Sequence, residues 1–483
     1  MLLTLVIVYL LITIAIGLLA ARRVKNSADF AIAGRHLPLY MIVTTTFATW
    51  FGSETVLGIP AKFIEGGLGN VVEDPFGAGF CLILVGLFFA ARLYRMTLLT
   101  ISDYYRERYG RVVEVVCSLI IMLSYLGWVS AQVTALGLVF NLLSGGAIGI
   151  PMGMTIGVVS ILAYTLFGGM WSVAVTDFIQ MIILVGGLAI IAVFAGNMAG
   201  GADKVIELAS SRDLFRFLPE PKLHDILFFV AAGITMMFGS IPQQDVFQRV
   251  MSANNIKAAT RGPVIGGICY ILFAFVPMFL VASALIIMPA ETAELLKDDP
   301  QKVLPTLVLQ KMPFIMQVFF FGALLSALKS TASATLLAPS VTFTENIWRQ
   351  FRPNGTDRDR LRTMRISTLV FSAFVLAYSI HMQGTSIYEL VSGAYQVPLV
   401  GAFVPLVFGL YWKRATTQGA LLAIAAGLST WLLFLATPMG AVFPAQLAGV
   451  LAATVGMLAG SLAPQGLRNV RASHHPVVGA EQA

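Results

Sequence analysis

Charge is what this sequence has least of. Only 11% of its 483 residues are Asp, Glu, Lys or Arg, against 58% hydrophobic, where a soluble domain carries roughly 25% charge. So few charges cannot cover a water-facing surface, which excludes a soluble globular protein. Cysteine is scarce as well: Cys81, Cys117 and Cys269 lie in apolar stretches at no disulfide or metal-ligand spacing and read as packing residues. Of five histidines, His474 and His475 form a lone pair in a polar tail, a composition suited to solvation rather than metal binding. No phosphate-cradling loop, dinucleotide fingerprint or Ser/His/Asp order occurs, which speaks against an ATP-driven pump and an enzyme. Alternating ten-residue strand segments are missing too, which excludes a membrane barrel.

What remains is an all-α, polytopic membrane protein. The charges gather in islands, and the runs 2–21, 178–202, 226–244, 262–290, 366–388 and 390–412 between them are uncharged and long enough to cross a bilayer. The runs 117–176 and 415–467 are each too long for one crossing and are broken at Ser144-Gly145-Gly146 and near Pro438 and Gly440. With spans near 38–61, 75–91 and 314–340 the expectation is about thirteen helices. Arg22, Arg23 and Lys25 follow the first apolar run and no basic residue precedes it, the reverse of a cleaved signal peptide. With the N-terminus outside and the C-terminus in the cytoplasm, 22 of the 31 Lys and Arg fall on inner segments, as the positive-inside rule requires. The net charge of +7 then reflects basic loops facing anionic lipid, not a nucleic-acid partner; the bilayer is the partner it implies.

Two spans carry helix breakers. One reads Thr-Trp-Phe-Gly-Ser-Glu-Thr-Val-Leu-Gly-Ile-Pro from Thr49 to Pro60; five spans later comes Phe238-Gly239-Ser240-Ile241-Pro242-Gln243-Gln244. That separation suits two five-helix repeats of opposite orientation, whose interrupted helices hold ions and solutes in transporters. Two ionisable residues lie inside spans, Glu54 in the second and Lys329 in the ninth. An intramembrane charge is costly and points to function or to a buried pair, so Glu54 and Lys329 read either as solute or coupling groups or as a staple between helices. Around Lys329, residues Ala327, Ser330 and Thr331 share one helix face at i, i+3 and i+4, a set of neutral oxygens suited to Na⁺ if the Ala327 carbonyl is free. Lys329 itself points about 100° away from Ser330.

Four stretches resemble the sodium/solute symporter family, which includes sodium-coupled proline, pantothenate and sugar carriers. They are Asp29-Phe30-Ala31-Ile32-Ala33-Gly34-Arg35; Ile101-Ser102-Asp103-Tyr104-Tyr105-Arg106-Glu107-Arg108-Tyr109-Gly110; Gly168-Gly169-Met170-Trp171-Ser172-Val173-Ala174-Val175-Thr176-Asp177; and Ser326 to Leu337 running on to Thr344-Glu345-Asn346. The resemblance implies a LeuT-like 5+5 inverted repeat over about 38–200 and 225–412. These repeats lie within one membrane domain, 1–467, followed by a polar cytoplasmic tail, 468–483. It further implies a sodium site built from the carbonyls of Ala48 and Phe51 with Ala327, Ser330 and Thr331. Asp177 falls at the ion exit, and Glu54, Thr55 and Asp74 where relatives contact solute. Trp50 stands where proline carriers have an aspartate, and Lys329 departs from the better-known relatives.

The expected function is Na⁺-coupled symport of a small polar solute across the inner membrane, with no organic cofactor. Lys329 facing the solute would favour a carboxylate such as an organic or amino acid. Proton coupling through Lys329, and a solute sensor with no output domain of its own, stand as the alternatives.

Overall fold

The computed structural model describes residues 1–467; the expected tail 468–483, with His474 and His475, lies outside the described residues. The described chain is helical, its one extended pairing being the parallel bridge Leu37 to Ala253. In chain order the helices that matter are α1 (Leu2–Ala21), α2 (Leu39–Trp50), α3 (Ile59–Gly66), α4 (Arg111–Leu143), α5 (Ile150–Met198), α6 (Leu223–Gly239) and α7 (Gln244–Ser252). They continue with α8 (Ile256–Ile287), α9 (Phe314–Thr342), α10 (Asp357–His381), α11 (Ile387–Pro398), α12 (Thr417–Ala436) and α13 (Ala445–Leu462).

Ten helical segments among the described residues are long and apolar enough to cross a membrane, eleven if α6 and α7, bent by 46° at their junction, count as one. The expectation of thirteen differs from this in two places. α5 has 49 residues, about 74 Å at 1.5 Å per residue and more than twice the hydrocarbon thickness. It is two helices meeting at Gly169, whose φ of 46° and ψ of −139° leave the helical region. There a Cβ would lie 2.3 Å from the Phe30 carbonyl oxygen, so only glycine fits. The second difference is α2 and α3, each too short to span and separated by the break that the Gly52 and Pro60 pattern predicts.

α9 sits at the centre. It is apolar around its circumference, every residue from Ala323 to Thr342 is buried, and it packs on α1, α2, α4, α5 and α10, as an all-round hydrophobic helix must. α12 and α13 pair at the periphery and turn Leu432, Leu433, Leu435, Leu451 and Val455 outward, where lipid replaces water as the solvent. Cys81 and Cys117 are core residues as read from the sequence; Cys269 is not, lying exposed on the outside of α8.

Candidate functional site

The break in α2 creates the first half of the site. The helix stops at Trp50, Phe51 takes φ −88° and ψ 70°, and the chain resumes as a π-helical turn at Glu54–Gly58 before α3. Irregular backbone at membrane depth survives only where protein shields it, and this stretch is fully buried. Gly52 is required by close approach: a Cβ would come within 2.7 Å of Thr331 Oγ1 and 2.8 Å of both Gln132 Oε1 and Glu54 Oε2.

α9 supplies the other half. Ser330 Oγ donates to the Ala48 carbonyl at 3.0 Å and to Asp177 Oδ1 at 2.6 Å, and Thr331 Oγ1 reaches the same carbonyl at 3.4 Å. Thr45 donates to the other Asp177 oxygen at 2.5 Å. The expected set Ala48, Ser330 and Thr331 is therefore brought together, with Asp177 bonded directly to it. Ala327 is buried on the same face, but α9 runs unbroken through it. Its carbonyl belongs to the helical ladder rather than being freed, leaving a second lone pair to accept. Phe51 is buried at the break. The donor set of neutral oxygens beside one carboxylate suits a hard, weakly held cation such as Na⁺.

Next to it lies an acidic and aromatic cluster. Glu54 accepts from Trp128 Nε1 at 3.0 Å and Gln132 Nε2 at 2.6 Å. Asp74 accepts from Tyr270 at 2.5 Å, Tyr270 and Thr55 hydroxyls lie 2.9 Å apart, and Glu73 accepts from Ser392 at 2.8 Å. Glu54 and Glu73 both act electrostatically on Asp74. None of these three buried carboxylates forms an ion pair among the described residues, and Glu73 Oε1 and Asp74 Oδ2 have no hydrogen-bond partner. Trp50, Trp128 and Tyr395 cluster with ring centroids 5.3–5.9 Å apart, Trp50 stacked on Tyr395 and Trp128 tilted against both, and Trp50 Nε1 and the Tyr395 and Tyr388 hydroxyls are also unpartnered. Glu73, Tyr388 and Ser392 line a cavity of about 800 Å³. Six acidic and three basic residues line that cavity.

Lys329 lies apart from Glu54 and the acidic cluster. Its ammonium donates to Thr13 on α1 at 2.6 Å and lies 5.3 Å from the centre of the Tyr164 ring. The 100° offset from Ser330 turns it away from the Ala48 and Asp177 oxygens and toward α1, where Tyr9 bonds Ser326 one turn earlier. The Glu54–Lys329 staple does not form among the described residues. Since its partners are a neutral hydroxyl and a ring, Lys329→Met should leave the solute profile unchanged and cost little stability, because an apolar side chain replaces a buried ammonium. Competition assays and thermal unfolding check this; a changed solute preference contradicts it.

Several site residues escaped the sequence reading: Thr45, Glu73, Trp128, Gln132, Tyr270, Tyr395 and Arg249. Glu73 beside Asp74 was the visible signal, two adjacent acids next to a span. The aromatics gave none, since Trp and Tyr are common in membrane helices.

Comparison with known proteins agrees with this geometry. The family model described as "Sodium:solute symporter family" matches residues 30–427. The human high affinity choline transporter 1 is 26% identical over 439 residues, covering 88% of this chain and 75% of its own. The high-affinity proline transporter PutP of Bacillus subtilis is 28% identical over 431 residues, covering 86% and 88%. The structure of a Na⁺-coupled sialic acid symporter in a substrate-bound outward-open state superposes with a TM-score of 0.83 at 19% identity, over 95% of this chain and 97% of that one. That likeness establishes the inverted-repeat fold of LeuT-type transporters, and with the family match spanning well over half its length, this chain belongs to the sodium:solute symporter family.

Proposed function

We propose that this protein is a Na⁺-driven symporter of a small organic cation bearing an ammonium group. It has thirteen spans, its N-terminus outside, and its acidic cavity open to the exterior of the plasma membrane. The observation that carries the solute class is the trio of buried, ion-pair-free carboxylates Glu54, Glu73 and Asp74 beside the clustered rings of Trp50, Trp128 and Tyr395. Buried charges are paired or coordinate something, and aromatic faces attract ammonium cations by about 2 kcal/mol or more once water is removed. The choline transporters among its relatives support the same chemistry. The carboxylate solute expected from Lys329 loses its basis, because that ammonium faces α1.

In the cycle, Na⁺ sits among the oxygens of Ala48, Phe51, Ala327, Ser330 and Thr331, with Asp177 as its countercharge. The cation solute binds across Glu54, Thr55 and Asp74. Ion and solute stabilise one conformer, so each raises the other's affinity by the same factor. The acidic cavity concentrates cations at the entrance.

Uptake of radiolabelled choline into proteoliposomes, with Na⁺ and pH gradients imposed separately, tests this reading. Flux that follows Na⁺ and is inhibited by quaternary ammonium compounds but not by proline or lactate is the expected result. Flux that ignores Na⁺ and follows the pH gradient sinks the sodium assignment in favour of proton coupling. Binding without flux sinks transport in favour of a sensor.

A further inference from the structure

The cavity end of the molecule is open, and the opposite end is packed shut around α7. All nine residues of α7 are buried. Backbone bonds from Leu37 to Ser252 at 2.9 Å and from Asn254 to Leu37 at 2.9 Å tie its end to the segment that leads into α2. Gln244 Oε1 accepts from the amide of Ile101, and Gln248 donates to the Ala31 carbonyl. α7 is the second half of the second broken span, so it is a plug attached through a bend.

Within this plug Arg249 is 1% exposed and forms no ion pair among the described residues. Nη1 donates to the Asp245 carbonyl at 2.8 Å and Nη2 to Thr49 Oγ1 at 2.7 Å, while Nε has no partner. From Thr49 the link continues through the residue Thr45, whose backbone carbonyl accepts from Thr49 and whose hydroxyl donates to Asp177. Thr49 donates to the Thr45 carbonyl at 2.7 Å, Thr45 to Asp177 at 2.5 Å, and Ser330 to the other Asp177 oxygen at 2.6 Å. The guanidinium also acts electrostatically on both Asp177 and Asp245.

We propose that Arg249 is the positioning residue through which an occupied ion site holds the α7 end shut. The Ser330 hydroxyl proton is shared between the Ala48 carbonyl and Asp177. A cation among these oxygens claims the Ala48 carbonyl and leaves that proton to Asp177. The carboxylate is thereby fixed, and with it Thr45, Thr49 and the docked guanidinium of Arg249. Ion release reverses this and loosens α7. The inference rests on the sodium reading above but concerns the opposite end of the molecule. By linkage, the factor by which Na⁺ favours the closed end equals the factor by which closure favours Na⁺.

The experiment uses the full chain in lipid nanodiscs with Cys269→Ser, since Cys81 and Cys117 are buried, and a reporter Ser102→Cys in the helix Ile101–Tyr109 that packs on α7. Ser102 is fully buried, so maleimide labels it only when this end opens. In this parent, Na⁺ is expected to slow labelling about tenfold. Arg249→Gln should label at one rate with and without Na⁺ while still showing Na⁺-dependent thermal stabilisation, and Arg249→Lys, which restores one charged donor, should recover part of the protection. Should Arg249→Gln fail to fold, Thr49→Val removes the acceptor and leaves the arginine, with the same loss of Na⁺ protection expected. Full Na⁺ protection in Arg249→Gln, or in Thr49→Val where that variant replaces it, overturns the proposal alone. A parent whose labelling and stability both ignore Na⁺ overturns it together with the sodium reading.

Discussion

Glu54→Gln should lower Na⁺-driven uptake of a quaternary ammonium solute by roughly two orders of magnitude, the largest effect expected of any single substitution in the solute region. Truncating one partner of a buried, hydrogen-bonded charge pair costs about 2–5 kcal/mol, and tenfold in affinity corresponds to about 1.4 kcal/mol. Gln keeps the volume of Glu54 but has one oxygen where the carboxylate has two, so it accepts from either Trp128 Nε1 or Gln132 Nε2 and loses one of these bonds along with the charge, and thermal unfolding of the variant checks that the fold is kept. Trp128→Phe isolates the remaining contribution, since it keeps an aromatic face and deletes the N–H to Glu54. Concentration dependence of uptake reads both variants. A Glu54→Gln protein whose half-saturating solute concentration stays within threefold of the parent would rule out an ammonium at this carboxylate.

That prediction depends on residues that were unequally visible in the sequence. Glu54 stood out because a carboxylate inside an apolar span is costly, and the break beside it was marked by Gly52 and Pro60. Helical periodicity was enough to put Ala327, Ser330 and Thr331 on one face. What periodicity cannot give is the absolute rotation of a helix. Lys329 was left between a solute or coupling group and a staple to Glu54, and packing against α1 turns it to Thr13 instead. The solute class was lost with it, because the expected carboxylate rested on that one ammonium. Trp50 was noticed only as the absence of an aspartate; its role emerges when Trp128 from α4 and Tyr395 from α11 arrive beside it. Contacts between residues more than 70 positions apart are set by tertiary packing, and local pattern carries no record of them. The number of spans is not the number of continuous helices: Gly169 lets one continuous helical segment comprise two helices, so the helices that exist and the crossings they make are counted differently.

Ser330→Ala is the decisive test of the ion site. The Ser330 hydroxyl is the only side chain that touches both the Ala48 carbonyl, at 3.0 Å, and Asp177, at 2.6 Å, among the described residues. Its loss removes one cation ligand and one hydrogen bond to a carboxylate. Hydrogen bonds to charged groups contribute about 1.5–3 kcal/mol, so the Na⁺ concentration for half-maximal uptake should rise roughly 10- to 150-fold. Ser333→Ala is the matched control on the same helix: Ser333 bonds the carbonyl of Ser330 at 3.0 Å, the local back-bond common in helices, and faces Tyr164 rather than the Ala48 and Asp177 oxygens, so its loss should leave Na⁺ dependence unchanged. Thr331→Ala should fall between the two, its hydroxyl being 3.4 Å from Ala48. Because ion and solute are linked, the Ser330→Ala protein should regain solute affinity at high Na⁺, whereas Glu54→Gln should not. A Ser330→Ala protein that is equally weak at all Na⁺ concentrations would mean that the hydroxyl serves the fold or the solute and that the driving ion binds elsewhere.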